Sequence, residues 1–244
     1  MNQAHPFPTT GHPSDGLPFT GLPRTGLPPR ALTVDDPQLA EHILHRLTDV
    51  REVARHREYR TFTGTWNDTE IVVSCHGAGA PGAIRLYQEL MDAGADTIIK
   101  LGSAAALLRG IGPGDLIVAE SCVRDDGVTG QLVPAGYPAT AGPEVVLALA
   151  ASAHRQDAPH HRGVVWSRAA SFPGIVDLHQ AGYVALGVLA LEMELAALLV
   201  LASTRGVRAG GCLVIEGAGT VADPAHLTRG ASVALDALVD LPDA

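Results

Sequence analysis

Residues 71–127 decide the fold of this chain, and they read IVVSCHGAGAPGAIRLYQELMDAGADTIIKLGSAAALLRGIGPGDLIVAESCVRDDG. A second stretch, residues 188–201, reads VLALEMELAALLVL. Both stretches place glycines and charged residues at the ends of apolar strands. In an open α/β sheet, ligands bind at the carboxyl ends of the strands. The two stretches therefore predict an α/β fold with a binding site at that edge.

Predicted strands and helices alternate along the chain. The patterns indicate strands at 31–34, 59–66, 71–76, 97–101, 115–122, 163–167, 188–191 and 211–215. They indicate a helix from Pro37 to about Val50, and further helices at 81–93, 144–153, 193–204 and 227–239. This alternation is typical of an α/β sheet with helices on both faces.

Composition narrows the functional class. The chain has 244 residues, 46% of them hydrophobic, and a formal net charge of −9, which argues against a nucleic-acid-binding surface. No stretch reads as a membrane span, and the start of the chain does not read as a signal peptide. We expect buried free thiols at Cys75, Cys122 and Cys212, and no metal site, because His154 and its neighbours lack ligand-like partners. These features predict a cytoplasmic protein.

The N-terminal region differs in composition from the rest. Residues 1–30 repeat a short Gly-Leu-Pro unit, and this density of proline and glycine disfavours regular structure. We expect residues 1–30 to be a partly disordered tail whose later part runs extended across a neighbouring surface. Residues 31–244 are expected to form one domain.

The segment Lys100-Leu-Gly-Ser103 ends a buried strand and contains the only lysine of the chain. A cation, a glycine and a hydroxyl over four residues can hold a phosphate. The alternative is a strand-end lysine that reaches into solvent, but the position at the carboxyl end of a strand favours a functional role.

Two further segments carry candidate site residues. Glu192-Met193-Glu194 joins a strand to an apolar helix, where two carboxylates are unfavourable unless they are paired or used. Capping of the helix is the simpler explanation, and the sequence leaves both open. The loop from His76 to Gly82 contains Gly79 and can offer backbone N–H groups to an anion, but its spacing does not fit a dinucleotide site.

These segments resemble the nucleoside phosphorylase and nucleosidase family, most closely its uridine phosphorylase branch. The resemblance spans about residues 31–240. It rests on HREYRTFTG (56–64), HGAGAPGA (76–83), IIKLGSAAALLRGIGPGDLIVAES (98–121) and the LEMEL junction (191–195). It implies a three-layer α/β/α domain with a mixed central sheet. The implied reaction is attack of phosphate on C1′ of a nucleoside, which gives free base and pentose 1-phosphate.

The resemblance also implies roles for individual residues. Glu194 would bind the ribose 2′- and 3′-hydroxyls, and Met193 would contact the sugar face. Lys100 and Ser103 would hold phosphate, and Arg57 would reach the same ion from a neighbouring subunit of a homodimer or hexamer. The other implied substrate-binding residues are Gly79, Arg168, Phe172 and Glu192. Inorganic phosphate would be the co-substrate, with no further cofactor.

The chain departs from the family pattern at both ends of the site. Asp35-Asp36-Pro37 stands where the family has Gly-Asp-Pro, and Leu39 stands where a phosphate-binding arginine is usual. Lys100 replaces another arginine, and Glu216-Gly217 replaces the usual Ser-Asp near the base. Besides phosphorolysis, the sequence therefore allows hydrolysis, or a nucleoside-binding or assembly protein with impaired catalysis.

Overall fold

A computed structural model describes residues 16–172, 174–217 and 223–243, and its strands form one sheet. The strands are β1 (Arg30–Val34), β2 (Thr48–His56), β3 (Tyr59–Trp66), β4 (Thr69–Cys75), β5 (Thr97–Ala106), β6 (Leu116–Asp125), β7 (Ala139–Thr140), β8 (His160–Arg168), β9 (Ala190–Glu192) and β10 (Arg208–Ile215). The helices are α1 (Pro37–Leu44), α2 (Ala80–Asp92), α3 (Pro143–Arg155), α4 (Gln180–Ala185), α5 (Leu195–Arg205) and α6 (Pro224–Asp240).

The sheet is mixed and partly closed. Its strand order is β10-β6-β8-β9-β5-β1-β4-β3-β2, and β10 also pairs with β5. The strands β5, β9, β8, β6 and β10 therefore form a closed ring, while β1, β4, β3 and β2 extend from it. β1 lies between β4 and β5 and is parallel to both. The carboxyl ends of β1 and β4 consequently meet at one edge of the sheet, while β5 continues past this edge to Ala106, beyond the strand expected at 97–101.

Helices cover both faces of the sheet. α2 and α5 contact each other on one face, and α3 and α6 contact each other on the other. The helices pack so closely on β10 that two of its positions have room only for glycine. A Cβ on Gly210 would lie 2.5 Å from Val145 of α3. A Cβ on Gly211 would overlap Leu195 of α5. The expected three-layer α/β/α arrangement with a mixed sheet is confirmed.

The predicted helix from Pro37 to about Val50 is too long. α1 ends at Leu44, and residues 48–56 form β2, which pairs with β3. The register of this pairing shifts twice, and Asp49 has a positive φ of 52°. Because β2 is irregular and largely exposed, its sequence lacks the alternation of polar and apolar residues that marks a half-buried strand.

Part of the N-terminal region lies against the domain. The side chains of Leu17 and Leu22 are buried. The backbone N–H and the hydroxyl of Thr20 donate to the Glu89 carboxylate on α2, at 2.8 and 2.5 Å. The disorder expected for the early tail falls on residues 1–15, outside the described residues, and the domain division at residue 30 stays a prediction.

α5 begins directly after β9 and is the helix that anchors the site. Residues 195–200 are all buried, which matches the apolar sequence of this helix. No described helix, α5 included, combines the length and the apolar character needed to cross a membrane. The short β9–α5 junction fixes residues 192–194 near the edge where β1 and β4 end, beside Lys100 in the middle of β5.

Candidate active site

A buried ion-pair cluster lies at this edge of the sheet. The Lys100 ammonium on β5 is 2.8 Å from Glu192 and 2.9 Å from Glu194, and all three side chains are at most 3% exposed. Burial alone would lower the pKa of Lys100, but the two carboxylates outweigh it and hold the pKa well above its ordinary value. Lys100 is therefore a permanent cation inside the protein, not a lysine that reaches into solvent.

Glu192 organises the start of α5. Its carboxylate accepts the backbone N–H groups of Glu194 and Leu195, at 2.9 and 2.8 Å, and the hydroxyl of Ser167 on β8. Ser167 in turn accepts the backbone N–H of Ala196 at 2.9 Å. Glu192 thus caps the helix and binds Lys100 at once, so the capping and pairing explanations for this residue both apply.

Glu194 is held at two points. Its Oε1 accepts the backbone N–H of Gly79 at 2.5 Å, and its Oε2 contacts Lys100. Gly79 has a φ of 95°, a conformation that favours glycine and that turns its N–H toward Glu194. Burial raises the pKa of Glu194, but Lys100 reverses this effect and lowers the pKa below its ordinary value. The carboxylate is therefore ionised and fixed in orientation.

A neutral histidine supports the Gly-rich loop. His76 is buried, and burial lowers its pKa to about 4. Its Nδ1 lies 2.6 Å from the Gly77 carbonyl, and its Nε2 lies 3.2 Å from the Tyr87 hydroxyl. Because a carbonyl only accepts, Nδ1 carries the proton and Tyr87 donates to Nε2. Through these two contacts, His76 links the Gly-rich loop, which contains Gly79, to α2.

Asp35 follows β1 and adds a third carboxyl group to this edge. Burial raises its pKa to about 6, while Lys100 opposes and Glu194 reinforces the rise. Leu39, one turn further along in α1, is a buried core residue and offers no donor. Of the two departures from the family pattern, Asp35 therefore places a carboxyl group near Lys100, and Leu39 packs in the core.

The other site residues predicted from the sequence lie around this cluster. Ser103 is half-buried further along β5, and the sulfur of Met193 accepts a hydrogen bond from Ser171 at 3.3 Å. Arg168 donates to the carbonyls of Ala170 and Ser171, at 2.6 and 3.2 Å, so it shapes the loop whose Ser171 contacts Met193.

Two of the predicted residues are exposed. Phe172 is 84% exposed at the end of this loop. Arg57 is exposed at the tip of the β2–β3 hairpin, with a φ of 55°. The hairpin tip lies beside the Gly-rich loop, because a Cβ on Gly77 would be 3.9 Å from the Glu58 side chain. Within one chain, the structure joins Lys100 directly to the two glutamates but not to Arg57.

Sequence reasoning missed three supporting residues. His76 carried a usable signal, because an ionisable residue follows an apolar strand directly before a Gly-rich loop. Ser167 and Tyr87 gave none, since their contacts arise only when β8 and α2 come together with the site. No cluster that could hold a metal ion occurs within residues 16–172, 174–217 and 223–243.

A sequence model of the family described as the phosphorylase superfamily matches residues 29–238 of this chain. The chain belongs to this superfamily. It is 37% identical over 192 residues to the uridine phosphorylase of Thermococcus kodakarensis, covering 72% of this chain and 68% of the relative. It is 31% identical over 192 residues to the uridine phosphorylase of Treponema pallidum, covering 75% and 74%.

Solved structures agree with this assignment. The purine nucleoside phosphorylase of Toxoplasma gondii in complex with immucillin-H aligns with a TM-score of 0.83 at 26% identity, covering 88% of this chain and 91% of that chain. The uridine phosphorylase of Vibrio fischeri aligns with a TM-score of 0.81 at 28% identity, covering 88% and 93%. The family resemblance and the nucleoside phosphorylase-like fold predicted from the sequence are both confirmed.

Proposed function

We propose that the protein is a pentosyltransferase, a nucleoside phosphorylase of the uridine phosphorylase type. It cleaves the N-glycosidic bond of a pyrimidine or modified nucleoside with phosphate and releases free base and pentose 1-phosphate. The observation that carries this proposal is the ionised Glu194, fixed between the Gly79 amide and Lys100. The uridine phosphorylases at 37% and 31% identity support it, and they make phosphate-independent hydrolysis the less favoured alternative.

Glu194 binds the sugar in this proposal. A carboxylate has about four lone-pair sites, and Gly79 and Lys100 occupy one on each oxygen. The remaining sites accept the ribose 2′- and 3′-hydroxyls. Positive charge develops at C1′ as the base leaves, so a fixed negative charge beside the sugar stabilises the transition state more than the ground state. Met193, one residue before Glu194, contacts the sugar face.

Lys100 supplies positive charge for phosphate. Its ammonium has three N–H donors, and two of them face Glu192 and Glu194. A Cβ on Gly102 would lie 3.1 Å from Nζ, so this glycine leaves space for phosphate beside the third donor. Ser103 follows on the same strand and adds a hydroxyl donor. Arg57 of a second copy contributes the further cation.

The cross-subunit role of Arg57 makes the active unit a homo-oligomer, a dimer or a hexamer. An isologous contact gives each of two sites the arginine of the other chain. We also place the protein in the cytoplasm, where the buried thiols of Cys75, Cys122 and Cys212 stay reduced.

The direct test is incubation with nucleosides in the presence and absence of phosphate, with detection of free base and pentose 1-phosphate. We expect base release that requires phosphate and that Glu194→Gln abolishes. Asp236→Asn is the matched control, because it neutralises a hydrogen-bonded carboxylate on α6 that binds Trp66 and Gln156. Base release without phosphate would indicate hydrolysis. No release from any nucleoside would indicate a binding or assembly role.

A further inference from the structure

Asp35 and Lys100 converge on the same glycine. β1 and β5 are parallel with Thr33 opposite Lys100, so Asp35 and Gly102 follow at the same height. A Cβ on Gly102 would lie 3.1 Å from Lys100 Nζ and 3.7 Å from Asp35 Oδ1. Both polar atoms therefore border the same side of Gly102.

The charges at this position are unfavourable for an anion. The single positive charge of Lys100 is shared by Glu192 and Glu194. The Asp35 carboxylate forms no ion pair with any residue that the structure describes, so its charge is not neutralised by a contact. Within one chain, with every carboxyl group ionised, an anion beside Lys100 meets three negative charges and one positive charge. Binding is favoured when one carboxyl group takes up a proton.

Only Asp35 is suited to accept that proton. Glu192 accepts hydrogen bonds from Ser167 and from backbone N–H groups in addition to Lys100, and Glu194 accepts one from Gly79, so donors already contact both oxygens of each carboxylate. Burial and the neighbouring charges of Glu194 and Asp36 raise the pKa of Asp35 to about 6, against the opposing effect of Lys100.

The remaining titratable groups near Asp35 lie on β4 and the loop that follows it. The thiol of Cys75 is 3.5 Å from the Asp35 carbonyl, and burial raises its pKa to about 11. Burial lowers the pKa of His76 to about 4. Both groups are therefore neutral around pH 6 and 7, so they do not exchange protons in that range.

We propose that Asp35 takes up one proton from solvent when phosphate binds beside Lys100, and that the neutral carboxyl group donates a hydrogen bond to the anion. A protonated carboxyl group has one O–H donor, so repulsion is replaced by recognition. This inference rests on the proposed function, because it takes phosphate as the anion. It makes Asp35 a residue that decides which charge state of the site binds the co-substrate.

The proposal has a defined pH dependence. If binding takes up one proton, the affinity falls by up to about tenfold for each pH unit above the pKa of the free group. Anion binding to the wild-type protein therefore weakens as the pH rises from 6 to 8. A neutral side chain at position 35 removes both the repulsion and the dependence on pH.

Sulfate is the appropriate probe, because its charge does not change in this range while that of phosphate does. Titration calorimetry of sulfate at pH 7.5, in two buffers of different ionisation enthalpy, counts the protons taken up. We expect about one proton for the wild-type protein, none for Asp35→Asn, and at pH 8 at least tenfold tighter sulfate binding by the variant. Asp35→Ser gives a second neutral variant.

Asp36→Asn is the matched control, because it removes the same charge one residue away. Asparagine can keep the N-cap hydrogen bond to Gln38, now 2.8 Å long, so this variant should still take up one proton. No proton uptake by the wild-type protein, uptake retained in both neutral variants at position 35, or no sulfate binding by any variant would each overturn the proposal. Base release without phosphate would instead reject the proposed function, and the proton uptake on sulfate binding could still be interpreted.

Discussion

Lys100 and Glu194 form an ion pair with Nζ and Oε2 2.9 Å apart, and neither side chain is more than 3% exposed. Lys100 also holds Glu192, which caps α5. A buried ion pair is weak support for stability as a whole, yet removal of one partner leaves an uncompensated buried charge. The same lysine therefore serves the fold and the site, and substitutions must be measured for both.

Lys100→Ala should destabilise the protein strongly at neutral pH. Two buried carboxylates would lose their counter-charge, which lowers the free energy of unfolding by about 3–5 kcal/mol. Lys100 lowers the pKa of Glu194 against the effect of burial, so without Lys100 this pKa should rise, and the loss should shrink as the pH falls toward 5. Urea unfolding at pH 7 and pH 5 measures both effects. Lys100→Arg keeps the charge, so its free energy of unfolding should fall much less. An unchanged urea midpoint in Lys100→Ala would contradict this account.

His76→Gln should change the acid sensitivity of folding. The folded pKa of His76, about 4, lies below its ordinary value of 6.5, so the stability it contributes is present above pH 6.5 and is lost as the pH falls toward 4. The loss amounts to about 3 kcal/mol over that range. We expect the variant to be less stable at pH 7 but to lose less on acidification. His154→Gln, at an exposed position near the end of α3, should match the wild-type pH profile of unfolding.

The sequence predicted the positions of the site better than its contacts. Glycines and charged residues at predicted strand ends singled out Lys100, Glu194 and the loop with Gly79, and the structure brings these together, although Lys100 lies within β5 and not at its end. The sequence could not show that Lys100 binds two glutamates, since that depends on how β5 and β9 pair. β2 was missed because its irregular pairing and exposure remove the periodic signal on which strand prediction depends.

Gly102→Ala should weaken phosphate binding more than nucleoside binding. The added Cβ would lie 3.1 Å from Lys100 Nζ, where we place the phosphate. We expect the KM for phosphate to rise about tenfold or more, equivalent to about 1.4 kcal/mol, with a smaller change in the KM for the nucleoside. Initial-rate kinetics with each substrate varied in turn test this. Gly136→Ala adds the same group where nothing lies within 4 Å and should leave both constants unchanged.

Mixing two inactive variants should restore activity if Arg57 acts across subunits. In a mixed dimer of Arg57→Ala and Glu194→Gln chains, the site on the Arg57→Ala chain keeps its own Glu194 and receives Arg57 from its partner. The other site lacks both residues. Random exchange of equal amounts makes half of the dimers mixed, with one intact site in each, so about a quarter of the wild-type activity should return. The two variants are unfolded and refolded together, and the turnover is compared with that of each variant refolded alone.

If Arg57 serves its own chain, or has no role in the site, mixing will give only the average of the two separate activities. Sedimentation of the mixture checks that dimers or hexamers have re-formed, so that a failure to exchange subunits is not mistaken for a site built within one chain.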